Sequence, residues 1–131
     1  MANVLIIDDE KTICDLLSRT VKNMGHEVTY ALSLEEGLKE VSSKTFDVVF
    51  LDVRLPDGDG LKALPKIVEG PLSPEVIIIT GQGDPDGAEL AIKSGAWAYI
   101  EKPVTTQRMT LPLVRASQYR AEKAPQSPQR S

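Results

Sequence analysis

The chain has 131 residues, of which 41% are hydrophobic and 26% charged, and its formal net charge is −4. These values are typical of one folded domain, and no apolar run approaches the length of a membrane helix. The negative charge argues against direct nucleic-acid binding, and the single cysteine and single histidine argue against a disulfide or a soft-metal site. We therefore expect a cytoplasmic domain that binds neither nucleic acid nor membrane.

Five short apolar segments alternate with helical patterns along the chain. We predict strands at residues 4–7, 27–31, 47–51, 75–80 and 97–100. The first, third and fourth are almost continuously apolar, as expected of strands covered on both faces. This alternation predicts an α/β fold with a doubly wound, five-stranded parallel sheet.

Helix boundaries are marked by capping residues. Gly25 can end the first helix in a left-handed conformation, and Ser33 with Glu36 forms a capping box for the second. The fourth helix is predicted to open at residues 84–86 and to stop at Gly95.

Two prolines complicate the remaining helices. The third, at residues 60–68, contains Pro65, and the fifth contains Pro112. An interior proline removes a backbone hydrogen bond and costs about 3 kcal/mol. We therefore expect the fifth helix to start near Leu111 with Thr110 as its N-cap, which leaves residues 105–109 in a loop.

The composition changes near the end of the chain. Residues 121–131 are rich in Pro, Gln, Ser, Lys and Arg and have almost no apolar side chains. We expect residues 1–120 to form the domain and residues 121–131 to be a disordered tail or the start of a linker.

Acidic, hydroxyl and basic side chains stand at the ends of four predicted strands. They are Asp8, Asp9, Asp52, Thr80 and Lys102. Because the carboxyl ends of the strands form the ligand-binding edge of a doubly wound sheet, we expect these residues to converge.

Such a convergence has a specific chemistry. Three carboxylates repel one another unless a cation lies among them, and hard oxygen ligands favour Mg²⁺. Asp52 would then stay ionised and could attack phosphorus. Lys102 could pair with Asp52 and then with the phosphoryl oxygens, to which the Thr80 hydroxyl could donate a hydrogen bond. This pattern predicts Mg²⁺-dependent phosphorylation of Asp52.

Each residue taken alone has a simpler explanation. Asp8 or Asp9 could cap the first helix, Asp52 could open a turn, and Lys102 could be a surface charge. Their predicted meeting at one sheet edge is what favours the functional interpretation.

With these residues in place, the chain resembles the receiver domains of response regulators in two-component systems, in particular those of enhancer-binding (NtrC-like) transcription regulators. The resemblance covers about residues 3–120 and is carried by residues 4–10, 47–60, 78–81, 95–96 and 99–103. It implies a flavodoxin-like (βα)5 fold with Asp52 as the phosphorylation site. It also implies that Asp9, Asp52 and the backbone carbonyl of Arg54 bind Mg²⁺ directly, and that Asp8 acts through a water molecule.

The resemblance further implies a switch and its partners. Thr80 would be the switch hydroxyl, and Tyr99 would be a coupled aromatic that turns inward, although ordinary strand packing equally explains Tyr99. The implied partners are a sensor histidine kinase, an effector domain or downstream protein, and at most a weak homodimer. Self-phosphorylation and self-dephosphorylation are expected, but no dedicated enzymatic activity. Gly81 and Pro112 depart from the family pattern, and the second puts the usual output geometry in doubt.

Three other classes remain as alternatives. An aspartyl phosphatase would need an acid two residues after Asp52, where Arg54 stands. A nucleotide-binding flavodoxin-like protein would need a glycine-rich loop after the first strand, which instead runs into acids. An unphosphorylated scaffold would not require the complete set of acids, hydroxyl and lysine.

Overall fold

The computed structural model of the protein describes residues 1–69, 73–81 and 85–123. In chain order its elements are β1 (Asn3–Ile7), α1 (Lys11–Asn23), β2 (Glu27–Ala31), α2 (Leu34–Ser43), β3 (Val48–Asp52), β4 (Arg54–Leu55), β5 (Gly58–Asp59), α3 (Gly60–Ile67), β6 (Glu75–Thr80), α4 (Pro85–Lys93), β7 (Ala98–Glu101) and α5 (Thr106–Lys123). No helix in these ranges is both long enough and apolar enough to cross a membrane.

Five of the strands form one parallel sheet with the order β2-β1-β3-β6-β7. Helices α1 and α5 pack on one face of it, where the central side chain is Phe50. Helices α2, α3 and α4 pack on the other face, against alternate residues such as Leu51 and Ile78. The predicted doubly wound α/β fold is confirmed, and the full burial of β3 explains its continuous apolar run.

The strand order changes direction at β1, because β2 is added on one side of it and β3 on the other. This change of direction determines where the site lies. Strand β1 pairs with β2 on one side and with β3 on the other, so that Ile7 lies opposite both Ala31 and Leu51. The residues just after β1 and at the end of β3 are therefore neighbours at the carboxyl edge.

The predicted caps of the first and second helices and the predicted stop of the fourth are confirmed. Helix α4 begins at Pro85, within the predicted opening, and Asp84 lies outside the described residues. Ser33 Oγ accepts a hydrogen bond from Glu36 N at 3.2 Å. Gly25 and Gly95 follow α1 and α4 with φ of 89° and 106°, a region that favours glycine.

The predicted start of the fifth helix is wrong. Helix α5 begins at Thr106, and Thr105 rather than Thr110 caps it, with Thr105 Oγ1 accepting from Arg108 N at 3.1 Å. Met109, which we placed in a loop, is fully buried and begins an apolar stripe that continues through Leu113. Burying a side chain of this size contributes about 1.5–3 kcal/mol, which offsets much of the cost of Pro112 inside the helix.

Helix α5 also ends at Lys123, three residues past the domain boundary that we predicted at residue 120. The rest of the predicted tail, residues 124–131, lies outside the described residues.

A small hairpin connects β3 to α3. Strands β4 and β5 pair antiparallel, with Arg54 opposite Asp59. The carboxylate of Asp57 accepts hydrogen bonds from the backbone nitrogens of Leu34 and Glu35, both at 2.9 Å. The turn of the hairpin is thus fixed to the start of α2, which holds the segment after Asp52 in place.

Candidate functional site

The three acids predicted to converge do so at the carboxyl edge of the sheet. Carboxylate oxygens of Asp8, Asp9 and Asp52 all lie within 4.8 Å of one another. Asp8 and Asp9 directly follow β1, and Asp52 is the last residue of β3. Asp8 and Asp52 are buried, whereas Asp9 is exposed, so the cluster opens to solvent on one side only.

The two carboxylate oxygens of Asp8 have different surroundings. Its Oδ1 accepts a hydrogen bond from Glu10 N at 2.8 Å, which shapes the entry to α1. Its Oδ2 is buried and has no hydrogen-bond partner among the described residues. Burial, together with the nearby charge of Asp52, raises the pKa of Asp8 to about 7.

Asp52 is held by the backbone around it. Its Oδ1 accepts a hydrogen bond from Arg54 N at 3.3 Å, and its Oδ2 accepts none within the described part of the chain. Gly60 lies against this segment so closely that a Cβ there would overlap the carbonyl oxygen of Asp52. Burial raises the pKa of the Asp52 carboxyl, and the positive charge of Lys102 opposes the rise.

Lys102 supplies the positive charge of the site. Its Nζ lies 3.5 Å from Asp52 Oδ2 and 3.6 Å from Glu10 Oε2. Its backbone N–H donates to the carbonyl oxygen of Thr80 at 2.9 Å, and its peptide bond to Pro103 is cis. Partial burial disfavours the ammonium, but the charges of Asp52 and other acids outweigh it and raise the pKa of Lys102.

Thr80 ends β6, the strand between β3 and β7. Its Oγ1 is buried and has no hydrogen-bond partner in the described ranges, so the hydroxyl is available to a new acceptor. Tyr99 lies on the edge strand β7, opposite Ile78, and its side chain is 47% exposed. Two positions in this part of the sheet therefore hold a free buried hydroxyl and an outward aromatic ring.

The donor set suits a hard divalent cation. Asp8 Oδ2 is a buried carboxylate oxygen without a hydrogen bond from the described residues, the Asp52 carboxylate lies beside it, and Asp9 stands at the solvent side. Mg²⁺ takes oxygen ligands, uses few carboxylates and keeps several waters. Such an ion would offset the burial and the mutual repulsion that raise the pKa of Asp8 and of Asp52.

The structure adds residues that the sequence did not single out. Glu10 contacts Lys102, Gly60 packs on Asp52, and Cys14 Sγ donates to the Asp8 carbonyl at 3.3 Å. Glu10 stood next to the predicted acids, but nothing in the sequence indicates that its side chain turns towards Lys102. Cys14 is buried.

A separate cleft of about 810 Å³ lies at the opposite edge of the sheet. It is bordered by the amino ends of β1 and β2 and includes His26, whose Nδ1 accepts a hydrogen bond from Ala2 N at 2.9 Å. None of the predicted site residues lines it.

The sequence matches the family model described as the response regulator receiver domain over residues 4–113. It is 40% identical over 117 residues to a putative NtrX-like response regulator of Rickettsia conorii, covering 87% of this chain and 24% of that protein. It is 32% identical over 114 residues to the transcriptional regulatory protein ZraR of Klebsiella oxytoca, covering 87% of this chain and 26% of that one.

Among solved structures, a response regulator receiver domain protein from Clostridium thermocellum superposes with a TM-score of 0.84 at 36% identity. The match covers 93% of this chain and 98% of that one. The chain thus spans about a quarter of the length of the two curated relatives but nearly all of this solved domain.

Proposed function

Because this chain belongs to the response regulator receiver domain family of two-component systems, we propose that it accepts a phosphoryl group on Asp52 from a histidine kinase in a Mg²⁺-dependent reaction. The observation that carries the proposal is the buried Asp52 carboxylate, which lies in an acidic cluster and within 3.5 Å of Lys102 Nζ. Receiver domains of this family generally bind Mg²⁺ at such an acidic pocket.

The residues that would hold the ion are Asp9 and Asp52 with the backbone carbonyl of Arg54, and Asp8 would act through a water molecule. A bound Mg²⁺ would neutralise the negative charge that gathers on the transferring phosphoryl oxygens. The hairpin pairing of Arg54 and the packing of Gly60 keep the backbone beside Asp52 in a fixed position.

In the transfer itself, a carboxylate oxygen of Asp52 forms a bond to phosphorus while the bond from phosphorus to the donor's histidine nitrogen breaks. The nitrogen leaves with its electron pair, so that no redox step and no other reactant is needed. Lys102 keeps its positive charge and offsets the charge of the phosphoryl oxygens.

The new phosphoryl group carries a charge of about −2 on strong acceptor oxygens. The unpartnered hydroxyl of Thr80 would donate a hydrogen bond to one of these oxygens. Movement of Thr80 would leave space into which the outward ring of Tyr99 turns. The surface built from α4, β7 and α5 would then exist in two forms that a partner can distinguish.

The output proposed is control of transcription through an effector domain or a downstream protein, since matched relatives include transcriptional regulators. This domain would not contact nucleic acid itself, in keeping with its net charge of −4. Any homodimer would be weak, and the domain acts as a signalling switch rather than as a dedicated enzyme.

The proposal is tested by incubating the protein with phosphoramidate, a nitrogen-linked donor, and counting phosphoryl groups by intact-mass spectrometry. One group per chain is expected with Mg²⁺, and none in excess EDTA or in Asp52→Asn. Equal labelling of Asp52→Asn, or labelling that is unaffected by EDTA, would refute the proposed function.

A further inference from the structure

Lys102 is shared between two carboxylates. Its Nζ lies 3.5 Å from Oδ2 of the buried Asp52 and 3.6 Å from Oε2 of Glu10, which is half exposed. Charge-assisted hydrogen bonds between an ammonium and a carboxylate are usually about 2.7–2.9 Å long. The ammonium therefore lies at ion-pair distance from both carboxylates and at the short hydrogen-bond distance from neither.

The side chain of Glu10 has no part in starting α1, although Glu10 occupies the N-cap position. It makes no side-chain capping hydrogen bond there. The backbone of Glu10 does the structural work, donating its N–H to Asp8 and accepting from the nitrogens of Ile13 and Cys14. Its carboxylate is free to turn towards Lys102.

The position of Lys102 matters because an ammonium that closed on Asp52 would occupy Oδ2, the carboxylate oxygen that the Arg54 N–H leaves open for attack on phosphorus. Asp52 Oδ2 is buried, and the ammonium of the flexible lysine beside it, which has three donors, stays 3.5 Å away. The Glu10 carboxylate, 3.6 Å from the same ammonium, is a second anion that can draw the ammonium towards itself.

We propose that Glu10 is a positioning residue, whose carboxylate holds the Lys102 ammonium back from Asp52 and thereby keeps Asp52 Oδ2 available for phosphoryl transfer. This role rests on the proposed function of Asp52, but the geometry it requires exists without metal or phosphodonor. Glu10 is not among the residues proposed to hold Mg²⁺, and in this role it acts through Lys102.

A simpler role for Glu10 is to add one negative charge to the cluster. The two roles predict opposite effects of Glu10→Gln on phosphorylation by acetyl phosphate at saturating Mg²⁺. Loss of a negative charge alone would attract the anionic donor and leave the maximal rate constant unchanged or higher. Loss of positioning lowers the maximal rate constant, by about three- to tenfold, without raising the apparent KM for the donor.

Three further variants sharpen the comparison. Glu10→Asp keeps the charge but shortens the reach, so it should slow the reaction as Glu10→Gln does. Asp15→Asn changes the net charge equally at a residue paired with Lys11, and should leave the rate unchanged. In a Lys102→Gln background, Glu10→Gln should have no further effect on the rate.

A second readout needs no phosphorylation. In EDTA, nuclear magnetic resonance of the Lys102 side-chain ammonium should show slower hydrogen exchange in Glu10→Gln than in the unmodified protein, because the ammonium closes on buried Asp52. Unchanged or faster exchange, a Glu10→Asp rate equal to that of the unmodified protein, or a Glu10→Gln effect that persists without Lys102 would overturn the proposal. If the unmodified protein takes up no phosphoryl group at all, the proposed function fails, while the exchange measurement still decides the relation between Glu10 and Lys102.

Discussion

Lys102 Nζ and Asp52 Oδ2 lie 3.5 Å apart although their strands, β7 and β3, are separated by β6 in the sheet. The lysine follows the edge strand and reaches over the end of β6, where Thr80 stands. This cross-strand ion pair brings the charge, the hydroxyl and the carboxylate of the proposed switch to one place. A long, flexible side chain is required for that reach.

Without metal, stability should fall as the pH rises. The pKa of Asp8 is raised by burial from 3.8 to about 7, so the folded protein holds this proton more tightly than the unfolded chain. The resulting stabilisation is present at low pH and is lost between about pH 4 and pH 7, at no more than about 1.4 kcal/mol per pH unit. Urea unfolding in EDTA across this range measures it. Asp8→Asn should flatten the slope, and an equal slope in both proteins would contradict the assignment.

Asp9 should matter for the metal and not for the fold. Because Asp9 is exposed and belongs to a cluster that repels itself, Asp9→Asn should weaken Mg²⁺ binding at least tenfold and leave the metal-free protein equally stable or more so. Calorimetric titration and thermal unfolding in EDTA check the two parts. A metal-free variant that is clearly less stable would indicate a structural role for Asp9.

Gly60 should be essential beside the phosphorylation site. A Cβ there would overlap the Asp52 carbonyl oxygen, so Gly60→Ala should lower the free energy of unfolding by about 1–3 kcal/mol and slow phosphorylation. Gly81→Ala is the matched control, since its Cβ would meet no heavy atom within 4 Å. Urea unfolding of the two variants should differ. Equal stability would mean that the Asp52 segment can shift to make room for the Cβ without lowering the free energy of unfolding.

The start of α5 can be tested by two threonine substitutions. Thr105→Ala removes the N-cap and should cost about 1 kcal/mol of stability. Thr110→Ala removes a hydroxyl that only donates back to the Thr106 carbonyl within the helix, and should be nearly neutral. The reverse order of effects in urea unfolding would support a helix that starts near Leu111.

Much of the fold could be predicted because its strongest signals are local. The continuous apolar runs of β1, β3 and β6, and the caps at Ser33 and Gly25, need only short segments of sequence to be recognised. The predicted start of α5 was wrong because it took into account the free-energy cost of Pro112 but not the gain from burying Met109. That gain depends on the side chains of the whole sheet face. The β4–β5 hairpin has two residues per strand, which is too short for a periodic pattern.

For the site, the predicted parallel sheet was enough to bring Asp8, Asp9 and Asp52 to one edge, because the carboxyl ends of parallel strands meet there. The sequence could not give the contact between Glu10 and Lys102, which depends on the direction of two long side chains. Nor could it give the packing of Gly60 on Asp52, since glycine is common in loops for many reasons.

The central claim, that Asp52 is the phosphoacceptor, is tested most directly by trapping the acyl phosphate. The protein is treated with acetyl phosphate and Mg²⁺, reduced with borohydride, and digested for peptide mass spectrometry, because reduction converts a phosphorylated aspartate into homoserine. We predict homoserine at position 52, and its absence when EDTA replaces Mg²⁺. Homoserine at Asp8, Asp9 or another acid with position 52 unchanged, or an equal yield at position 52 in EDTA, would contradict the account.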